Sequence, residues 1–305
     1  MADCTQFPNQ LPDYPITRLP DSDPITRLPD RRAPAYVGRH ARLELAFECR
    51  GGRTVLAHAY AEPPLRIGRT FDVDGAAYVI LVCAGPGVFG GDCLHYDVTV
   101  GRGARVLLAS QSALQVHPAA APAPATIQHH YRVAEDGELH AQWDPVIPFV
   151  GATLVQRFEL RLEQSSRLFW SDALMSGRVS RGEVWGFESL RHELRLLVSG
   201  SLRYLERYSV APAGHPPARW VAGGAQYVGS AVLYHETATA ELAERIHRNL
   251  AGIEGLAGAV DAVEARLVIA RLLGAAGLPF ARGRSAVRDQ VLEEAFGNRR
   301  LVARR

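Results

Sequence analysis

From Arg42 onward, apolar residues recur at every second position, in short runs separated by tight turns. Leu43, Leu45, Phe47 and Cys49 alternate with Glu44 and Glu48, and Gly51-Gly52 turns the chain into Thr54 to Tyr60. Leu94, Tyr96, Val98 and Val100 alternate with His95, Asp97 and Thr99 before Gly101-Arg102-Gly103 and the run Ala104 to Ala109. Ile127, His129, Tyr131 and Val133 precede Asp136-Gly137, followed by Leu139, Ala141 and Trp143. Leu154 to Leu162 leads through Ser165-Ser166 into Leu168 to Leu174, and Leu190 to Val198 through Ser199-Gly200 into Leu202 to Val210. A two-residue period buries one face of a strand and is incompatible with an amphipathic helix. Most of residues 40–210 is therefore expected to be β. Tight turns between consecutive strands predict hairpins, hence an antiparallel sheet system.

The period changes only late. Pro212 to Pro217 predicts a loop, and Tyr227 to His235 a further strand. Leu242, Ile246 and Leu250 share a helical stripe, with Glu241 and Glu244 early in the segment, as the helix dipole favours. Ala265 to Leu273 fits either a strand or a helix and is read as a strand. Val287, Val291, Leu292, Ala295 and Phe296 form a second helical stripe, with Ser285 as its cap and Gly297 as its end. The expectation is two α-helices in the C-terminal third of a mainly β chain.

At 305 residues the chain can bury a large core. A net charge of +2 gives no basic field for nucleic acid or an anionic membrane. Four cysteines without a Cys-x-x-Cys pair are no disulfide framework and fit a reduced, cytoplasmic setting. No apolar run reaches the length of a membrane span. Residues 1–38 form a Pro-rich tail, expected to be disordered or loosely attached, in which Pro15-Ile16-Thr17-Arg18-Leu19-Pro20-Asp21 recurs as Pro24 to Asp30. Residues 39–305 are expected to form a single domain.

The chemistry-bearing signals are few. Gly-x-Ser-x-Gly, phosphate-loop and dinucleotide patterns are absent. An apolar strand, Tyr78 to Cys83, runs into Gly85, Pro86, Gly87, Gly90 and Gly91 and leaves through Asp92. No helical pattern follows, so this loop lacks the helix terminus of an anion cradle. Cys93 and His95 lie on one strand face and offer a thiolate and an imidazole to a metal ion. His129 and His130 point to opposite faces of their strand, with His129 on the apolar face.

The crossing that ends in Gly90-Gly91-Asp92 resembles the glycine-rich signature of the urease accessory protein UreD (UreH) family. Further stretches are similar to that family's motifs, in the same order. They are Trp143-Asp144-Pro145 through Phe149, Gly177-Arg178 through Gly182-Glu183-Val184-Trp185-Gly186-Phe187, and Ser199 through Glu206-Arg207. The resemblance implies an elongated, antiparallel β-hairpin stack of β-helical type with few helices. It implies no catalysis. Such proteins are scaffolds that bind urease apoprotein and UreF, and through UreF the GTPase UreG, and hold nickel in transit with no tightly bound cofactor. Within the matched motifs, Asp92, Asp144 and Glu183 are the carboxylates that would line or gate a metal path, with Cys93 and His95 as weaker candidates. Gly85, Pro86, Gly87, Gly90, Gly91, Pro145, Gly177, Arg178, Gly182 and Trp185 would shape the loops around them. The structural alternative is that Asp92 and Asp144 fasten turns and Glu183 pairs with Arg178 or Arg181. Residues 110–117 lack the Lys and Tyr usual in the family at that point, which suggests altered docking or a paralogue serving another nickel enzyme. A β-solenoid carbohydrate-active enzyme is the reading from a different class.

Overall fold

In the computed structural model, residues 38–118, 123–212 and 224–296 are described; the tandem repeat, most of the Pro212–Pro217 stretch and Gly297 lie outside them. Two antiparallel hairpins open the body. They are β1 (His40–Arg50) with β2 (Arg53–Ala61), closed at Gly51-Gly52 as expected, and β3 (Leu65–Val73) with β4 (Ala76–Cys83). The chain then winds in laps. β5 (Val88–Phe89), β6 (Cys93–Val100) and β7 (Arg105–Ser110) make one lap, and β8 (Leu114–His117), β9 (Ala125–Val133) and β10 (Glu138–Gln142) the next. β11 (Val146–Pro148), β12 (Thr153–Leu162) and β13 (Arg167–Met175) complete a third.

Equivalent strands of successive laps pair in parallel, giving a three-sided, β-helical coil. One side is built on β6, β9 and β12, the second on β7, β10 and β13, and the third on β5, β8 and β11. β1 and β14 (Ser189–Val198) extend the first side in parallel, and β15 (Ser201–Val210) closes it with an antiparallel hairpin. The mainly β, β-helical body with two late helices agrees with the sequence; the pairing direction within it does not. The turns at Gly101, Asp136 and Ser165 do not close hairpins. Each carries the chain from one side of the coil to the facing side. The arcs stack, with the Gly101 amide donating to the Phe47 carbonyl at 2.8 Å and the Arg167 amide to Gly137 at 2.9 Å. A Cβ at Gly137 would stand 2.9 Å from the Ala134 carbonyl oxygen of its own turn and 3.2 Å from that of Gly101 in the neighbouring arc, so turn and stacking together leave little space for a side chain there.

Inward residues of both main sides form one core around Trp170, Tyr131, Phe47 and Phe187, all under 2% exposed. β13 continues antiparallel into β16 (Tyr227–Tyr234), β18 (Leu267–Gly274) and β17 (Leu256–Glu264). The outer faces of these strands pack against α1 (Ala240–Ala251) and α2 (Gly277–Glu294), forming a second cluster that includes Phe169, Leu242, Ile246, Leu272 and Phe280. Buried on both faces, β13, β16 and β18 read as nearly continuous apolar runs. β18 is the strand expected at Ala265 to Leu273. α1 carries the predicted stripe, and its N-terminus is capped by Thr239. α2 begins well before the expected Ser285 cap, so Ser285 lies inside it and Ala276 is its N-cap. Pro279 is tolerated in the first turn. Gly283, whose added Cβ would lie 2.5 Å from Leu256, permits close packing. Those two residues masked the helix in the sequence.

Candidate functional site

The third side of the coil stacks the motif segments. Phe89 of β5 stacks on His117 of β8 (ring centroids 4.6 Å), His117 meets Phe149 at the end of β11 (4.5 Å), and the Arg178 guanidinium lies 4.0 Å over the Phe149 ring. The glycine corner, the Asp-Pro bend and the Arg-to-Glu segment thus lie along one face, with β8 of the second lap between the first two. Within the corner, Gly87 has φ +121°, and a Cβ there would sit 2.3 Å from the Gln115 carbonyl oxygen. Pro86 offers its carbonyl to His117 Nε2 at 2.8 Å. A single 3-10 turn, Val179–Arg181, ends at left-handed Gly182. Gly177 lets the Glu183 backbone approach closely, and Trp185 Nε1 donates to the Ala225 carbonyl at 3.2 Å.

The three carboxylates differ in what holds them. Asp92 is buried; its Oδ1 accepts from the Arg39 amide and its Oδ2 from the Phe89 amide, each at 2.9 Å. Those contacts fasten the corner to the start of β1. Glu183 is clasped by Arg178 through a fork of two contacts, Nε donating to Oε2 at 2.8 Å. The guanidinium beside it holds its carboxyl below the usual range. Asp144 is half-buried. Its Oδ2 accepts from Ser110 Oγ at 3.0 Å, while its amide donates to the same oxygen at 2.7 Å.

Asp144 alone of the three lines a cavity of about 130 Å³. The cavity is bounded by exposed Gly85, Pro86, Gln111 and Ser112 and reaches inward to Tyr96, His129, Gln156 and Asp172. His129 is a packed core residue, as expected, stacked on Tyr96 at 4.2 Å with Nδ1 2.9 Å from the Tyr131 hydroxyl. Burial pushes the Asp172 carboxyl up, opposed by the nearby His192. His192 Nδ1 stands 3.9 Å from Asp172 Oδ2, and neither ring nitrogen hydrogen-bonds to the described protein residues. A polar line inside a β coil departs from an apolar core and needs a reason. The sequence pattern did not single out Asp172, Gln156 or His192. The available signal was a carboxylate in the middle of the apolar run Leu168 to Leu174.

Cys93 and His95 do share a strand face, and Cys93 is buried. His95 nevertheless groups with other partners. Its Nε2 lies 2.7 Å from Asp97 Oδ2, and the His130 ring meets it edge-on at 4.8 Å. Among the described residues, the group whose ligand-type atoms lie near enough together to share an ion is His95, Asp97 and His130, all within 4.8 Å of one another. His130 was invisible as a partner because only the parallel register of β6 and β9 sets it beside Asp97.

No helix among the described residues is long and apolar enough to cross a membrane. The sequence matches the family described as "UreD urease accessory protein" over residues 39–305. It is 31% identical over 277 residues to the urease accessory protein UreD of Deinococcus radiodurans, covering 89% of this chain and 98% of that one. It is 34% identical over 199 residues to the UreD of Sorangium cellulosum, covering 65% and 63% of the two chains. A third relative, the UreD of Lysinibacillus sphaericus, is 31% identical over 171 residues, covering 55% and 64%. Together with the stacked motif segments and the β-helical coil, these matches establish that the chain belongs to the UreD urease accessory protein family.

Proposed function

We propose that this chain is a non-catalytic scaffold of urease maturation that guides nickel toward urease apoprotein, in a cytoplasmic complex with UreF and, through it, UreG. The observation that carries the reading is the cavity with Asp144 at its polar wall and Asp172 behind it. An ion in transit needs oxygen and nitrogen ligands that hold it and then let it go. Asp172, whose carboxyl burial shifts upward, offers an oxygen ligand at the inner end of the cavity where a bare charge is disfavoured, which suits transient rather than permanent binding. Asp92 and Glu183, engaged by backbone amides and by Arg178, serve better as fastenings of the stacked face, so the path is assigned to Asp144 and the interior behind it. Residues 110–117, which depart from the family pattern, supply Ser110 to Asp144 and several cavity-lining residues.

The test is nickel content in urease co-expressed with the accessory set, alongside co-purification of UreF. Asp144→Ala should lower nickel loading several-fold while the melting temperature and UreF capture hold. Unchanged loading removes Asp144 from the path. A folded chain that captures no UreF overturns the scaffold reading.

A further inference from the structure

We propose that His95, Asp97 and His130 form a divalent transition-metal site on the outer face of the sheet built on β6 and β9, apart from the cavity. The alternation of β6 sends Tyr96 and Val98 into the core and His95 and Asp97 outward. The parallel register then sets His130 of β9 directly beside Asp97. The ligand atoms of the three residues lie within 4.8 Å of one another. Their side chains keep exposures of 21%, 17% and 35%, so an ion can reach them while the strands hold their Cα positions. Bonds of about 2.1 Å place ligand atoms roughly 3 to 3.5 Å apart, so closure needs only a shift of about 1 to 1.5 Å by side-chain rotation.

Two imidazoles and one carboxylate suit nickel(II) or zinc(II) rather than calcium or magnesium, and three protein ligands leave coordination positions open for exchange. Arg42 Nε and Arg132 Nη1 each stand 3.8 Å from the Asp97 carboxylate. Both are roughly half-exposed and hold Asp97 only at that long range, so an ion can displace them at little cost. The site stands on this geometry alone and does not depend on the maturation reading.

The experiment titrates nickel(II), and separately zinc(II), into the full chain at about pH 7.5. Comparison is with His95→Ala/His130→Ala and with His58→Ala, an exposed histidine that contacts Glu44 outside the group. The double variant should lose about one equivalent of bound ion, and each single variant should bind at least about tenfold more weakly. His58→Ala should match the parent. Paramagnetic nickel(II) should broaden the His95 and His130 ring signals of the unsubstituted chain before those of other histidines, a readout that needs no variant to fold. Identical titrations of parent and double variant, or earlier broadening elsewhere, overturn the site.

Discussion

Two Asp-His groupings sit on opposite sides of the same strand system. Inside the coil, Asp172 faces His192 at 3.9 Å; on the outer face, Asp97 faces His95 at 2.7 Å and His130 at 3.7 Å. Burial raises both carboxyls, yet the outcomes diverge. At Asp172 the one imidazole does not offset desolvation, and nearby Glu206 adds to the rise. At Asp97, the close imidazoles of His95 and His130 overcome it and drive the carboxyl well down. Hydrogen bonds to the charged form and the amount of water nearby decide the sign, rather than the residue pair itself. Burial thus shifts the inner acid upward, while the two imidazoles shift the outer one downward.

Breaking the inner environment should have the largest effect. Trp170 is fully buried against Tyr131 and Phe158, at centroid separations of 5.2 and 5.0 Å. Trp170→Ala should lower stability by about 3 to 5 kcal/mol in denaturant titrations. A loss comparable to that of a surface change would show that the core beside the cavity is loosely packed.

The two acids should separate by sign. Asp97 has a folded-state value below its unfolded one, so its contribution is present above the unfolded carboxyl range, about pH 4, and fades as pH falls through the folded value. Asp97→Asn should therefore reduce stability at pH 7 by about 1 to 2 kcal/mol and flatten the acid limb of the stability curve. Asp172 is shifted the other way. Its effect on stability vanishes below about pH 4 and becomes a loss as pH rises through the folded value. Asp172→Asn should raise the melting temperature at pH 7 and leave it unchanged in acid. Melting curves of both variants from acid to neutral pH check this, and shifts of the same sign would erase the contrast.

The smallest effect is expected at Glu183. Its fork with Arg178 is partly exposed, with side-chain exposures of 19% and 33%, and near a surface ion pairs contribute little and salt screens them. Glu183→Ala should shift the melting temperature less than either Asp variant, and the shift should shrink in high salt. A shift larger than that of Asp97→Asn would mean the third face depends on this pair.

Much of this was legible in residue order. The alternation Leu43-Leu45-Phe47, the turn at Gly51-Gly52 and the stripe Leu242-Ile246-Leu250 each needed only local geometry. The glycine corner before Asp92 and the bend at Asp144-Pro145 also declared themselves, because few residues can follow such backbones. α2 was read short, since Pro279 and Gly283 are poor helix formers whose tolerance depends on the first-turn position and on the approach of Leu256. Asp172 looked like one polar residue in an apolar run until the coil placed it on the cavity wall.

Residue order by itself determined which segments are strands, where they turn and which face of each is apolar, because a period of two is a property of one strand. Tertiary structure decided whether a turn pairs its own two strands or carries the chain to the facing sheet. Both arrangements bury the same alternating residues, so the pattern cannot tell them apart; the stacking of one lap on the next does. That choice made β6 and β9 parallel neighbours, set His130 beside Asp97, and closed the cavity around Asp144 and Asp172.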